Sequence, residues 1–332
     1  MRFESSDSAV ALRDATRALL TAEVTPAVVR AGWPDGDLGT VRTVWRKLAD
    51  SGVIGALVPE QSDGLGLDEE ALVPTLERIG HSGLPLPVVE TIAVAAPAML
   101  WHARLGDVVS GDAVVAIAQP SLREESPLLA FGQDCDLALV LGEDDLRLYE
   151  RSELTLEPAA SIDGARRMAR IVAMDGGVVL ADDPAAVASA WLRGVLGTAA
   201  VLVGLSERML DMTVEYVKQR EQFGVPVGSF QAIKHALAAA LLSLRFAHPP
   251  VLAAGWALAT QAPDAAVQVS AAKALASEAA LRIARTAIQC HGAIAYTTEY
   301  DLHLFAKRAW AMAPSWGDAA WHRRSIAAHL GL

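Results

Sequence analysis

Cysteine is almost missing from this chain of 332 residues: Cys135 and Cys290 are the only two, far apart and in unlike surroundings. That excludes a disulfide framework and a four-cysteine zinc site, and it suits a reducing compartment. Aromatic residues make up 5% and charged residues 20%, while 52% is hydrophobic and much of that is alanine. Such a composition favours closely packed helices over a sheet-rich fold. Positive charge is in deficit, with 28 Lys and Arg against 39 Asp and Glu and a formal net charge of −11. No basic stripe is evident, so nucleic acid and anionic membrane surfaces are poor partners. The longest uncharged apolar stretch, 194–205, falls short of the roughly 20 residues of a membrane span. The opening Met1-Arg2-Phe3-Glu4-Ser5-Ser6-Asp7 is acidic and lacks the apolar region of a secretion signal. His248, His291 and His303 show no metal-ligand spacing. The expectation is a soluble, cytoplasmic protein with no metal.

What is present divides into three zones. Residues 1–108 read as a helical domain, with a helix over 9–24 capped by Ser8 and ended by Pro26, and further amphipathic segments at 41–49 and 72–79. Residues 109–182 change character: short apolar or alternating runs at 114–118, 136–141, 146–149, 169–172 and 177–180 are separated by Asp and Gly turn signals, which predicts a small β domain. Residues 183–332 return to long helices at 186–219, 230–248, 250–260 and 264–290. Pro249 and Pro250 should kink or split the second of these, since proline removes backbone donors. Gly292 sits where a helix-ending glycine belongs. The fold class is mainly α with a small β domain.

Two segments carry candidate chemistry. Arg220-Glu221-Gln222-Phe223-Gly224-Val225-Pro226-Val227-Gly228-Ser229-Phe230-Gln231 lies between two helices. A guanidinium beside an amide and an aromatic ring could clamp a flat, phosphate-bearing cofactor; an ordinary helix–helix loop reads the same. Gln289-Cys290-His291-Gly292-Ala293-Ile294-Ala295-Tyr296-Thr297-Thr298-Glu299-Tyr300 places one acid among apolar and hydroxyl residues. Such a carboxylate is disposed toward a raised pKa and could act as a base near neutral pH; alternatively, Glu299 begins the next helix, where an acid suits the dipole. Cys290 beside His291 is either a reactive thiol or a small buried residue.

Together these segments resemble the acyl-CoA dehydrogenase family. Its flavin signature is an arginine, one residue, Gln-Phe-Gly, and Phe-Gln about six residues on, as in Arg220, Gln222, Phe223, Gly224, Phe230 and Gln231. In the first zone Trp45, Leu48, Gly52, Val58-Pro59-Glu60 and Gly64-Leu65-Gly66-Leu67 match the family's N-terminal pattern in order. The resemblance implies a helical domain, a β-barrel domain and a C-terminal four-helix bundle. It also implies FAD as cofactor and an acyl-CoA thioester as substrate, with electrons passed to an electron-transfer flavoprotein or, in an oxidase, to oxygen. Glu299 would take the α-proton while the β-hydride passes to flavin N5. Arg220, Gln222 and Phe223 would reach the pyrophosphate side of a neighbouring subunit's FAD, and Gln289 and Gly292 its adenosine half. Cofactor binding would therefore need a homo- or hetero-oligomer.

Four departures from the family pattern are lopsided. The Gly-Gly pair and later glycine become Gly292-Ala293 and Ala295. The flavin-holding run of the β domain becomes Ala116-Ile117-Ala118-Gln119-Pro120-Ser121 with no Gly-Ser after it, and the flavin-flanking Trp and Thr are missing. The Glu-Gly-Thr stretch near the C-terminus becomes Trp316-Gly317-Asp318, an acid ill placed beside a pyrophosphate unless it points away. Groups serving a neighbour's FAD remain, while those holding this chain's own flavin are weak. That resembles the small subunit of heterotetrameric acyl-CoA dehydrogenases of actinobacterial steroid side-chain degradation. It implies an unlike partner in a heterotetramer acting on a bulky or sterol-derived acyl-CoA; the alternatives are a non-catalytic subunit that completes a companion chain's FAD site and a homomeric dehydrogenase with ordinary FAD sites.

Overall fold

The computed structural model describes residues 6–119 and 127–332. Helix α1 (Asp7–Glu23) starts two residues earlier than its apolar periodicity suggests, because Ser6, not Ser8, accepts the Ala9 N–H. It is followed by α2 (Pro26–Ala31), α3 (Leu38–Asp50) and α4 (Glu69–Ser82). Asp68 caps α4 by accepting the Ala71 N–H at 3.0 Å, and Gly83 ends it in the left-handed region. A buried π-helical stretch, Val89–Ala95, runs into the short α5 (Ala96–Ala98), and α6 (Leu105–Val109) leads to the sheet.

Seven strands form one sheet: β1 (Val115–Ala118), β2 (Leu128–Ala130), β3 (Leu137–Leu141), β4 (Asp145–Glu150), β5 (Leu154–Pro158), β6 (Ala169–Met174) and β7 (Val178–Asp182). Their order is β5-β6-β2-β1-β3-β4-β7, with only β1 and β3 parallel. The expected barrel is thus a curled half-barrel whose β5 and β7 edges do not meet. Strands β2 and β5 escaped the sequence pattern because one is three residues long and the other is a short Leu-Thr-Leu alternation that runs into Glu157 and Pro158 and is mostly exposed. Cys135 lies in a small satellite core under this sheet, with Leu129, Tyr149 and Ile171.

The C-terminal part is built on α7 (Pro184–Gln219), a helix of 36 residues. A two-stranded hairpin, β8 (Glu221–Gln222) and β9 (Val225–Pro226), joins it to α8 (Gln231–Ala259). Then come α9 (Ala265–His291), α10 (Leu302–Met312) and α11 (Ala319–His329). Pro249 and Pro250, expected to split α8, lie within one continuous helix. The carbonyls they leave unbonded belong to Arg245 and Phe246, both exposed and open to water. Buried Ala247 and Val251, and the His248–Glu77 pair at 3.0 Å, hold that stretch to α4. By length and composition α7 and α8 are apolar enough to cross a membrane, yet most of the apolar window of α7 is buried within the chain. Leu241, Leu242 and Phe246 leave an exposed apolar stripe on α8.

Helices α4 and α7 meet backbone to backbone. A methyl on Gly80 would strike the Val201 carbonyl, and one on Gly204 would strike the Glu77 carbonyl. The two glycines are therefore required by contact, not by dihedral angle. Gly204→Ala should lower stability by about 3 kcal/mol. Gly106→Ala, where a methyl meets nothing within 4 Å, should change it by less than about 1 kcal/mol. Thermal unfolding of both variants checks the contrast.

Candidate functional site

Helix α7 ends where Arg220 turns to an extended conformation while its N–H still donates to the Tyr216 carbonyl at 2.8 Å. Glu221 and Gln222 then pair with Val225 and Pro226 around a two-residue loop. Both loop residues are left-handed, Phe223 at φ 55° and Gly224 at φ 78°, the type I′ geometry that matches strand twist. Glycine adopts it freely. Phenylalanine does so at a cost of order 1 kcal/mol or more; the residue is 93% exposed, and its ring contact among the described residues is the Phe230 ring, edge-on at 6.2 Å. No burial among the described residues recovers that strain. Arg220, Gln222 and Gln231 are exposed as well, and the Arg220 guanidinium makes no hydrogen bond or ion pair among the described residues. Gln222 donates only to the Glu221 carbonyl.

Helix α9 ends beside this hairpin. Gln289 is exposed, Cys290 and His291 are buried, and Gly292 leaves at φ 67°, ψ −143°, a conformation open to glycine almost alone. A methyl on Gly292 would meet no atom within 4 Å, so there is room for a group against its backbone. A 3-10 turn, Gly292–Tyr296, carries Tyr296 outward at 78% exposure. Ala293 is exposed and Ala295 buried, so only the first of these methyls lies where an incoming group would feel it. Tyr216 stacks on His291 at 4.3 Å, and Tyr300 packs against both rings. The structure thus gathers Arg220, Gln222, Phe223, Phe230, Gln231, Gln289, Gly292 and Glu299 at one end of the helical bundle. One expectation is not met within this chain: Glu299 is exposed in a turn, outside any apolar enclosure, and its side chain has no partner among the described residues. Burial at its neighbour Tyr300 does not extend to it.

The residues that the sequence compared with a flavin-ring site lie elsewhere. Gln119 accepts the Trp316 N–H at 3.0 Å; Pro120 and Ser121, which continue that run, lie outside the described residues. Trp316 is buried and left-handed at φ 59°, with its indole against Gly194 of α7 where a methyl would collide, and edge-on to Trp191. Asp318 accepts the Trp321 N–H at 2.7 Å and so caps α11. Sequence reasoning missed what fixes this turn. Buried Lys273 donates to Ser277 Oγ at 2.9 Å and to the Ala313 and Gly317 carbonyls at 2.8 and 3.1 Å. Burial depresses its pKa to about 7. His322 Nε2–H donates to the Trp316 carbonyl at 2.9 Å, and Nδ1 accepts from Ser270. The available signal was a lone lysine four residues before Ser277 on an alanine-rich helix. Between Gly194, under Trp316, and Met212, which Tyr300 reaches, α7 rises about 27 Å.

Other ionic groups are spoken for. Arg193 donates to Glu69 Oε1 at 2.7 Å, tying it to α4. Arg308 binds buried Asp163 at 2.5 Å and the Leu84 carbonyl at 2.8 Å, and Arg166 donates to the Ala311 carbonyl. Glu90 faces these two arginines, and burial raises its pKa despite them. The cavity there holds about 20 Å³, room for water rather than substrate. Both thiols are buried and free, and burial pushes Cys135 up to about 11, so neither is a thiolate nucleophile.

Residues 6–103 match the acyl-CoA dehydrogenase N-terminal domain, and residues 187–331 match the acyl-CoA dehydrogenase C-terminal domain. The chain is 31% identical over 308 residues to acyl-CoA dehydrogenase IpdE2 of Mycobacterium tuberculosis, covering 90% of this chain and 89% of that one. Over 330 residues it is 30% identical to IpdE2 of Mycolicibacterium smegmatis, covering 96% and 97%. Among solved structures, a chain of the ChsE4-ChsE5 complex of Mycobacterium tuberculosis superposes with a TM-score of 0.88 at 25% identity, over 100% of this chain and 99% of that chain. A chain of a Tcur3481-Tcur3483 steroid ACAD variant superposes with a TM-score of 0.84 at 25% identity, over 97% of both chains.

The buried His322 generates an acid sensitivity. Burial, and then Lys273 nearby, depress its pKa from 6.5 to about 4. The folded chain therefore binds fewer protons than the unfolded chain between those values. Stability from this group is complete above pH 6.5 and is lost as pH falls toward 4, by about 3 kcal/mol. Chemical denaturation across that range should show a steeper loss in the native sequence than in His322→Gln, which keeps a donor for the Trp316 carbonyl.

Proposed function

Because this chain belongs to the acyl-CoA dehydrogenase family, whose members are FAD-dependent oxidoreductases, we propose that it is one subunit of a hetero-oligomeric dehydrogenase, and that its hairpin end completes the FAD site of an unlike neighbouring chain. The observation that carries this reading is the strained, solvent-exposed Phe223 beside Arg220, whose guanidinium is unpartnered among the described residues. A two-residue loop with a bulky left-handed residue at its tip is a poor free surface and a good insert. Arg220 offers planar, charged donors to a pyrophosphate, Gln222 an amide, and Phe223 a face for stacking. Gly292 leaves its backbone open to close approach. When bound, FAD supplies the hydride acceptor for α,β-dehydrogenation of the thioester. The residues of this chain orient and enclose it from the neighbour's side.

The paired relatives favour an unlike partner, since one similar structure is a chain of the ChsE4-ChsE5 complex and another a chain of the Tcur3481-Tcur3483 steroid ACAD. On this reading the substrate is a bulky, sterol-derived acyl-CoA, and the enzyme is cytoplasmic and delivers its electrons to an electron-transfer flavoprotein. Glu299 admits two roles. Its exposed position at the hairpin end, far along α7 from Gln119 and Trp316, supports a companion chain as the source of the base. Its unpartnered carboxylate, close to the hairpin, supports the second role, that of base once a neighbour buries it.

The chain purified alone should carry far less than one FAD per chain by visible absorption, whereas the complex with its co-purified partner should be yellow. One FAD per isolated chain would overturn the paired reading. In the complex, Arg220→Ala should weaken FAD binding by about tenfold or more. Glu299→Gln should leave turnover within about twofold. A fall of orders of magnitude with FAD retained would instead assign the α-proton to Glu299.

A further inference from the structure

Three segments converge on the hairpin end from separate parts of the chain: the last turn of α7, the last turn of α9, and the turn that carries Glu299. One ring from each meets the other two. Tyr216 and His291 stack with centroids 4.3 Å apart and planes inclined by 24°. Tyr300 lies 4.9 Å from His291 and 5.7 Å from Tyr216. The backbone reinforces this arrangement. Tyr216 O–H donates to the His291 carbonyl at 3.3 Å, the peptide that leads into Gly292, and the Tyr216 carbonyl accepts the Arg220 N–H that begins the hairpin. Tyr300 O–H reaches the Met212 carbonyl one turn earlier on α7.

We infer that Tyr216, His291 and Tyr300 form one aromatic clasp that fixes the hairpin, Gly292 and the Glu299 turn relative to one another, with His291 as a positioning residue for FAD held across the chain boundary. The inference rests on the reading that this end meets FAD. His291 is 4% exposed, and its Nδ1–H donates to the Ala287 carbonyl at 2.8 Å, which fixes the tautomer and the ring plane. Its Nε2 has no hydrogen-bond partner among the described residues. The ring therefore holds its neighbours through its faces, in the offset and edge arrangements that aromatic quadrupoles favour. A displacement of the α9 terminus cannot leave Arg220 unmoved, because the residue stacked on His291 is also the one that accepts the Arg220 amide. On its far side the Glu299 turn is held by the Arg30–Asp301 ion pair and by Trp33 edge-on to His303 at 5.9 Å. Toward the hairpin, the clasp is the anchor that the Tyr300 ring and hydroxyl supply.

The test is amide hydrogen exchange on the chain itself, followed by FAD release from the loaded complex. His291→Ala should speed exchange at the amides of Arg220, Val227 and Thr297 together, by about tenfold, while His291→Phe, which retains the stack, stays near the native rates. Should His291→Ala fail to accumulate, Tyr300→Leu at a half-buried ring is expected to loosen the same amides. Acceleration confined to 288–293, or equal loosening in His291→Phe, would overturn the clasp. FAD release, followed by flavin fluorescence, should be about tenfold faster in His291→Ala and unchanged in His291→Phe. Loosened amides with unchanged release would overturn the positioning role. If instead Arg220→Ala leaves FAD binding untouched, it is the assignment of this end to FAD that fails.

Discussion

The contact on which the rest of the molecule depends is the side-chain-free crossing of α4 and α7. With Gly80 against the Val201 carbonyl and Gly204 against the Glu77 carbonyl, the two helices lie as close as their backbones permit. That closeness fixes the position of a 36-residue rod through the middle of the protein. Nearly everything functional is then a question of which end of the rod a residue sits on. Arg193 near one end is bound to Glu69, and Tyr216 near the other meets His291. Neither could be placed so reliably by a helix that slid on larger side chains.

The two ends differ in kind. At the Gly194 end a tryptophan turn is buried, its carbonyls taken by a lysine and a histidine that are themselves removed from water. An unpaired polar group is costly in a low-dielectric interior, and Lys273 uses two donors on the Ala313 and Gly317 carbonyls and the third on Ser277 Oγ. At the Tyr216 end the arrangement is reversed, with polar and aromatic groups presented outward on a scaffold held rigid beneath them. A chain closed at one end and presented at the other suits a role in which it completes a site more readily than one in which it encloses a site alone.

The sequence revealed the presented end far better than the closed one. Arg220, Gln222-Phe223-Gly224 and Phe230-Gln231 sit in a short contiguous motif, and local spacing carried them directly to one hairpin. The order helix, sheet, helix was legible from a change in hydrophobic period. Strands β2 and β5 were not, because β2 has three residues and the Leu-Thr-Leu alternation of β5 is cut short by Glu157 and Pro158. The double proline misled because its cost depends on whether the freed carbonyls face water, a tertiary fact. Lys273, His322 and Trp316 come together only through folding, and an isolated lysine among alanines looks like ordinary solvated charge. For Glu299, the composition of its loop suggested enclosure, but the neighbouring apolar side chains turn elsewhere.

Cys135 and Cys290 occupy two different interiors, one in the small core beneath the sheet and the other at the end of α9 beside His291. Burial raises both thiols above their ordinary pKa, so in the native fold each is neutral and shielded. A thiol-directed reagent can reach either sulfur only through an opening of its own neighbourhood. The chain thus carries two built-in chemical clocks, one timing the breathing of the sheet and the other the breathing of the hairpin end, with no label to be engineered.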